Sequence, residues 1–331
     1  MPESYSLFST RPEPLITRDR VVGLTARLRA DGSVHTPLDE ASVLDGIERA
    51  KARGAEGIIV SLLHGFRSAV HEEAAAAIIR RAAPELFVFT SAEIWPVIRE
   101  YERTTTAIIN GYVHPRVSDY LDKLEDALRR SGVPAEPLIT KSNGGVMSAE
   151  LGKTSCVNMV LSGTASGVIG GAFVARACGV ENAVTLDIGG TSADVAVVID
   201  GAPQYGMGEK IGEFPLYIPS VSVTSIGEGG GSIARVDEFG VLKVGPESAG
   251  SDPGPACYGQ GGERPTITDA FAVSGFLGHH DLAYNSVALD MEKARAAMAT
   301  VADPLGLSLE EPAEAIIRVA IAGMYMETVS Y

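Results

Sequence analysis

The sequence predicts an α/β protein of two lobes, and three observations carry that expectation. Its 331 residues exceed what one hydrophobic core usually serves, so two domains or two large lobes are expected. The first half alternates buried-strand runs with amphipathic helices. The second half changes to short strands, glycine turns and few helices, centred on Thr185–Gly201, "TLDIGGTSADVAVVIDG".

Taken in order, Leu38–Arg53 reads as a helix capped by Asp39 or the earlier Thr36. Gly57–Leu63, "GIIVSLL", reads as a buried strand and Phe87–Thr90 as another. Between them His71–Ala83 is helical, with glutamates in its first turn and arginines in its last, as the helix dipole prefers. Arg99–Arg130 is a long helical region with a break expected near Pro115. Pro137–Lys141 is a short strand running into "KSNGGV". This alternation argues an α/β lobe. Short strands and glycine turns then fill Ala183–Thr268, and helices return at Asp290–Val301 and Ser308–Ser330. The chain starts in a proline-containing lead and stops inside a helix without a cap, so both ends read as cut.

Lys plus Arg is 27 against 42 for Asp plus Glu, a net charge of −15. That balance disfavours nucleic acid or an anionic membrane as partner, and leaves room for a local amide-lined phosphate site. Cys156, Cys178 and Cys257 are scattered without a CxxC pair, so neither a disulfide framework nor a zinc ribbon is indicated. The N-terminus has no signal pattern. The longest weakly polar run, Gly163–Val180, is glycine-rich and interrupted by Arg176, a poor transmembrane candidate. The expected location is cytoplasmic.

In Thr185–Gly201 an apolar run leads into Asp187, then Gly189, Gly190, Thr191, Ser192 and Asp194, then a second apolar run. The layout predicts that Asp187 ends a central strand and that Ser192–Asp194 begins its antiparallel neighbour. Glycines in the turn bring backbone amides close to an anion, and the hydroxyls add donors. Asp187 cannot bind phosphate directly. It can hold the water shell of a phosphate-bound Mg²⁺ or orient a nucleophile. A plain glycine hairpin is the competing reading. Gly227–Ser232, "GEGGGS", reads as a second anion-binding turn or as a tight loop. Cys257 reads as a nucleophile or as a buried small residue. Glu100–Arg103 reads as a substrate-binding or lobe-bridging cluster or as a solvated helix face. His64 and His71 read as a metal pair or as packed histidines, and His279 and His280 carry no metal argument alone.

The string D-x-G-G-T-S-x-D resembles the phosphate loop of the sugar kinase, actin and heat-shock chaperone superfamily. More closely it resembles the central motif of the ATP-dependent hydantoinase and 5-oxoprolinase family, hydantoinase A-type subunit, which includes acetone and acetophenone carboxylase subunits. "LLHGFRSAVHE" (Leu62–Glu72), "SAEIWPVIREYERTTT" (Ser91–Thr106), "SNGGV" (Ser142–Val146), "LSGTASGVIGG" (Leu161–Gly171), "IGEGGGSIARVD" (Ile226–Asp237) and "VGPESAGSDPGPACYGQGG" (Val244–Gly262) look like that family's signatures, in its order. The resemblance implies a ribonuclease H-like, actin-type two-lobed ATPase fold, incomplete at both ends. Residues 1–180 would be the remainder of the first lobe, and 181–331 the start of the second with its phosphate loop and a β-rich insertion. It implies Asp187 and Asp194 as catalytic carboxylates, with Asp187 serving Mg²⁺ through water. Gly189, Gly190, Thr191, Ser192, Gly227, Gly229, Gly230 and Gly231 would lie around ATP. Gly163–Cys178 would be the helix connecting the lobes, with Gly163, Ala165, Gly167, Gly170 and Gly171 allowing close approach to a neighbouring backbone; such glycines need a packing reason, since each costs up to about 1 kcal/mol relative to alanine.

The implied reaction is ATP-dependent opening of a cyclic amide, in which phosphorylation of the carbonyl oxygen makes an imidate phosphate that water attacks. The implied partners are the cyclic amide and a second, hydantoinase B-type subunit. A ketone carboxylase subunit and a non-catalytic assembly subunit are the alternatives. The sequence departs from the pattern in having no DxGGT before Asp187 and no adenosine-clamp segment up to residue 331. Ala193, Thr164 and Glu228 also stand where Thr, Pro and a small residue are usual. The resemblance therefore implies that turnover needs further segments or a second subunit.

Overall fold

Two parallel strands with a helix between them organise the first half, as the alternating pattern predicts. The computed structural model describes residues 13–207, 209–212, 214–277 and 288–329, so His279 and His280 lie outside the described residues. The chain divides into two compact units. The first takes in the residues up to Ser166 with Tyr205–Val221, and the second Gly167–Gln204 with the residues from Ser222 on. The division falls inside the glycine-rich helix rather than at residue 180, where the sequence suggests a lobe boundary.

In unit 1, helix α1 (Glu40–Lys51) is capped by Asp39, whose carboxylate accepts from the amides of Ala41 and Ser42. Strand β1 (Gly57–Val60), helix α2 (Val70–Ala82) and strand β2 (Phe87–Thr90) form a parallel crossover unit with Gly57 opposite Phe87. Gly57 is required there, because a Cβ would overlap the Phe87 ring. Val43, Ile47, Val60, Ala75, Ala76, Ile79 and Val88 make the core between the helices and the strands.

Two expectations are corrected here. The first strand stops at Val60 instead of Leu63, because the Glu72 carboxylate takes the Leu62 amide and His64 turns into left-handed backbone, φ 63°. Helix α3 (Glu100–Arg130) runs through Pro115 without a break. Tertiary contacts hold it just before the proline. The Asn110 side chain donates to Thr154 O and accepts from the Val157 amide, and His114 Nδ1 pairs with Lys153 O at 2.7 Å.

Helix α4 (Ser162–Ala177), which enters unit 2 at Gly167, precedes strands β3 (Ala183–Ile188) and β4 (Ala193–Ile199), an antiparallel hairpin. Strand β5 (Thr224–Ile226) pairs with the other side of β4. The hairpin is therefore as expected, but the interior strand is β4. Among the described residues β3 lies at the sheet edge, so the expectation that Asp187 ends a central strand is corrected. Strands β6 (Ser232–Val236) and β7 (Leu242–Ser248) make a separate antiparallel pair. Helices α5 (Ile267–Val273), α6 (Met291–Leu305) and α7 (Glu310–Val329) complete the unit. Its core is rich in alanine, with Ala270, Ala294, Ala313 and Ala320 around Ile267, Met298 and Ile316. Small side chains let three helices approach closely, so packing rather than bulk fills this interior. No helix among the described residues is long and apolar enough to cross a membrane.

Candidate functional site

Asp187 and Asp194 face each other across the β3–β4 hairpin. The Gly189 amide donates to Ser192 O at 2.8 Å, which fixes the phase of the ladder. Strand alternation then makes Asp187 and Asp194 a pair that exchanges backbone bonds, with both carboxylates on one face. Helix α4 crosses that face. A Cβ on Gly171 would overlap the Thr185 side chain, and one on Gly167 would stand 3.9 Å from Asp187 Oδ2. These two glycines are where the helix comes onto the strand. Gly163 and Gly170 have nothing within 4 Å of a Cβ position, so the expected close approach belongs to part of the stripe.

The turn itself is open. Gly189, Gly190 and Thr191 are exposed and Ser192 half-buried. Among the described residues the amides of Gly190, Thr191 and Ser192 donate no hydrogen bond. The second glycine run packs behind this turn. Gly230 and Gly231 donate to Gly189 O and Gly190 O at 2.9 and 2.5 Å. A Cβ on Gly229 would stand 2.5 Å from the Ser192 nitrogen and the Thr191 carbonyl carbon. The run is then tied to α5, since the Thr268 amide and hydroxyl each donate to Gly230 O at 2.8 Å. Gly227 is the exposed end of the run, and its carbonyl accepts from the Ser232 hydroxyl. The Glu228 carboxylate runs against α7, where a Cβ on Gly323 would overlap it.

Helix α5 is itself anchored by Asp269, wholly buried. Its carboxylate accepts from the Thr266 amide and hydroxyl and from the amides of Ala256 and Cys257. Thr266 Oγ1 in turn accepts from the Asp269 amide, which completes a capping box of the form T-x-x-D. Cys257 is fully buried beside this carboxylate, and burial first, then the Asp269 charge, push its thiol well above the usual range. A protonated buried thiol is no nucleophile, so the small-residue reading holds.

The charge run Glu100–Arg103 is not a solvated face throughout. Arg103 is fully buried and Glu102 nearly so, while Tyr101 is exposed. Arg103 donates to Ser91 Oγ, Val97 O and Leu62 O at 2.9, 3.0 and 2.8 Å. Ser91 donates onward to Glu72, which also accepts from the amides of Leu62 and Ala92. This network ties together the loops that follow β1 and β2. His71 is buried on α2, and no group of three metal-ligating side chains occurs among the described residues. Unit 1 also holds a cavity of about 980 Å³ with a largely apolar lining that includes Ile58, Ile59, Phe87, Ile108 and Tyr112.

With this geometry in view, the comparisons with known proteins are decisive at family level. The hydantoinase/oxoprolinase profile matches residues 103–328, and the profile of that family's N-terminal region matches residues 1–83. The chain belongs to the hydantoinase/oxoprolinase family. Caprolactamase subunit alpha of Pseudomonas jessenii is 36% identical over 292 residues, covering 88% of this chain and 42% of that protein. The acetophenone carboxylase gamma subunit of Aromatoleum aromaticum is 37% identical over 316 residues, covering 93% of this chain and 43% of the relative. Among solved structures, nucleotide-free acetone carboxylase matches with a TM-score of 0.85 at 30% identity, covering 97% of this chain and 46% of that one. The chain thus spans less than half the length of these relatives. This hydantoinase/oxoprolinase family includes both ATP-dependent amide hydrolases and carboxylase subunits.

Proposed function

We propose that this chain is the phosphate-holding portion of an ATP-dependent enzyme that opens cyclic amides of the hydantoin, 5-oxoproline or lactam type. One observation carries the reading: two opposed carboxylates stand at the base of an exposed glycine turn in which the amides of Gly190, Thr191 and Ser192 have no acceptor among the described residues. Like charges directly opposite one another across a strand pair cost stability unless a cation relieves them. Free consecutive amides make a seat for an anion. A nucleotide phosphate with its Mg²⁺ meets both demands together, and the residues present fit that group.

In this reading Asp187 holds the water shell of Mg²⁺, with Asp194 beside it as the second catalytic carboxylate. Gly190, Thr191 and Ser192 receive phosphate on their amides, and Gly189 closes the base of the turn, its own amide being given to Ser192 O. Gly227, Gly229, Gly230 and Gly231 serve the site by shaping the turn from behind, since the amides of Gly230 and Gly231 are already given to its carbonyls. Bound ATP supplies a phosphoryl group that turns the amide carbonyl into an electrophile water can attack. The protein contributes positioning and fixed charge. The actin-type reading of the fold rests on the antiparallel β3–β4–β5 trio with this turn at one end. The relatives named as subunits support a partner, which we take to be a hydantoinase B-type chain.

The ketone carboxylase reading has support of equal kind, because carboxylase subunits are also relatives. A substrate panel separates the two. The native protein with its partner subunit is incubated with ATP and hydantoin, 5-oxoproline, caprolactam, or a ketone with bicarbonate. The hydrolase reading predicts ADP and phosphate formed in step with a ring-opened acid. ADP release stimulated only by ketone and bicarbonate would install the carboxylase instead. No ADP from the complete assembly would leave an assembly subunit.

A further inference from the structure

We infer that Thr268 is a positioning residue for the phosphate turn. Acting through Gly230, it holds the carbonyls of Gly189 and Gly190 inward, so that the amides of Gly190 and Thr191 face the open side before an anion binds. This role rests on the reading of the turn as a phosphate seat, and assigns its preorganisation to a side chain of α5. In a trans peptide the carbonyl and the next residue's N–H point in opposite directions. Gly189 O accepts from the Gly230 amide at 2.9 Å, and Gly190 O from the Gly231 amide at 2.5 Å. The N–H of Gly190 shares a peptide plane with the first carbonyl, and that of Thr191 with the second. Both therefore point away from the second glycine run, toward the side on which Gly189, Gly190 and Thr191 are exposed. Glycine on both sides removes the Cβ contacts that would oppose rotation of the Gly189–Gly190 peptide. Its orientation depends on the partner that its carbonyl meets.

That partner is only as fixed as the second run. The run is a turn closed on itself, with the Ser232 amide donating to Gly229 O at 2.9 Å. Two groups from outside hold it. The Ala249 amide donates to Gly231 O at 2.9 Å. The Thr268 amide and hydroxyl both donate to Gly230 O, each at 2.8 Å. Of these two anchors only Thr268 uses a side chain.

Thr268 is itself held in place. It is buried and adjoins Asp269, whose carboxylate ties the start of α5 to the amides of Ala256 and Cys257. The space between anchor and run is closed as well, since a Cβ on Gly230 would stand 2.7 Å from Thr268 Oγ1. A chain of bonds thus runs from the buried start of α5, through one glycine, to the amides of the turn. Amides already aimed at an anion bind it without first losing rotational freedom, which is how preorganisation adds affinity.

The test compares the 331-residue chain with Thr268→Val, which removes the hydroxyl and keeps the shape, and with Thr268→Ser, which keeps the hydroxyl. Amide NMR supplies two readouts. Without ligand, the Gly230 and Gly231 amides should exchange with solvent about 10-fold or more slowly than those of Gly190 and Thr191. Thr268→Val should lower that protection by about 5- to 10-fold, the scale of one hydrogen bond. When ATP–Mg²⁺ is titrated to millimolar concentration, the Gly190 and Thr191 signals should move in the parent. The Kd should rise by about 5- to 10-fold in Thr268→Val and return to the parental value in Thr268→Ser. Signals that move with the same Kd in the parent and in Thr268→Val overturn the positioning role and leave the seat standing, even if the variant melts lower. Turn signals that ATP–Mg²⁺ leaves unmoved in the parent overturn the seat itself, and this role with it. If Thr268→Val does not fold, the parent decides: Gly230 and Gly231 amides that exchange as fast as Gly190 overturn the inference.

Discussion

Two sets of charges in this molecule are handled in opposite ways. In unit 1, Glu72 and Arg103 are removed from water, and each has several hydrogen-bond partners, with Ser91 between them. In unit 2, Asp187 and Asp194 carry the same sign and are set opposite one another at the mouth of an exposed turn. Burial with full pairing is how a fold uses charge: breaking the set costs a great deal, so it fixes geometry. Opposition of like charges near solvent is a disposition that a bound cation relieves. The first set positions two loops, and the second is the set to which the proposed function gives the chemistry.

The largest effect is expected in unit 1. Arg103→Met leaves Glu72 buried without its cationic neighbour, and should cost about 3–5 kcal/mol of stability, read from denaturant midpoints. A loss below about 1 kcal/mol, the range of exposed ion pairs, would show that the network is not a structural unit. Next comes the packing of the two glycine runs. Gly229→Ala places a methyl group against the Thr191 and Ser192 backbone. We expect a loss of about 1–3 kcal/mol from overpacking, with a fall in ATP turnover because the turn must shift. An alanine that is accepted without either change would mean that the second run does not shape the first.

Nucleotide affinity is a milder test. The chain of 331 residues has a single DxGGT string, at Asp187. With one phosphate turn, ATP–Mg²⁺ should bind the isolated chain weakly, above micromolar by titration calorimetry. Submicromolar binding would mean that unit 2 holds nucleotide unaided, and would require a second set of contacts not described above.

Much of the site was legible in the sequence because it is local. The Asp39 cap lies one residue before its helix and the hairpin lies within Thr185–Gly201, whereas the helix that opens with the Thr266–Asp269 box begins in a stretch that reads as strands and turns up to Thr268. What could not be read is what depends on distant groups. The first strand stops at Val60 because Glu72, ten residues beyond Leu62, takes an amide. Arg103 looks like one charge in a helical run, and only the loops after β1 and β2 make it a buried one. Gly229 and Gly231 lie about forty residues from the turn they support, a relation no spacing rule conveys. Pro115 would end an isolated helix, yet side-chain bonds from Asn110 hold this one through it. The edge position of β3 was missed for the opposite reason: its apolar sequence is that of an interior strand.

In the proposed function Asp187 serves chemistry and not the fold. Asp187→Asn tests it directly, with melting temperature and Mg²⁺-dependent ATP turnover measured on the same samples of the active assembly. Removing one of two opposed carboxylates should leave stability within about 0.5 kcal/mol of the parent, the range of ordinary surface substitutions. Turnover should fall by about 100-fold or more, the scale of losing one electrostatic element of a site. If Asp187 instead holds the turn together through its own hydrogen bonds, stability drops by about 1–3 kcal/mol and the surviving folded fraction still turns over ATP. That second result would contradict the account.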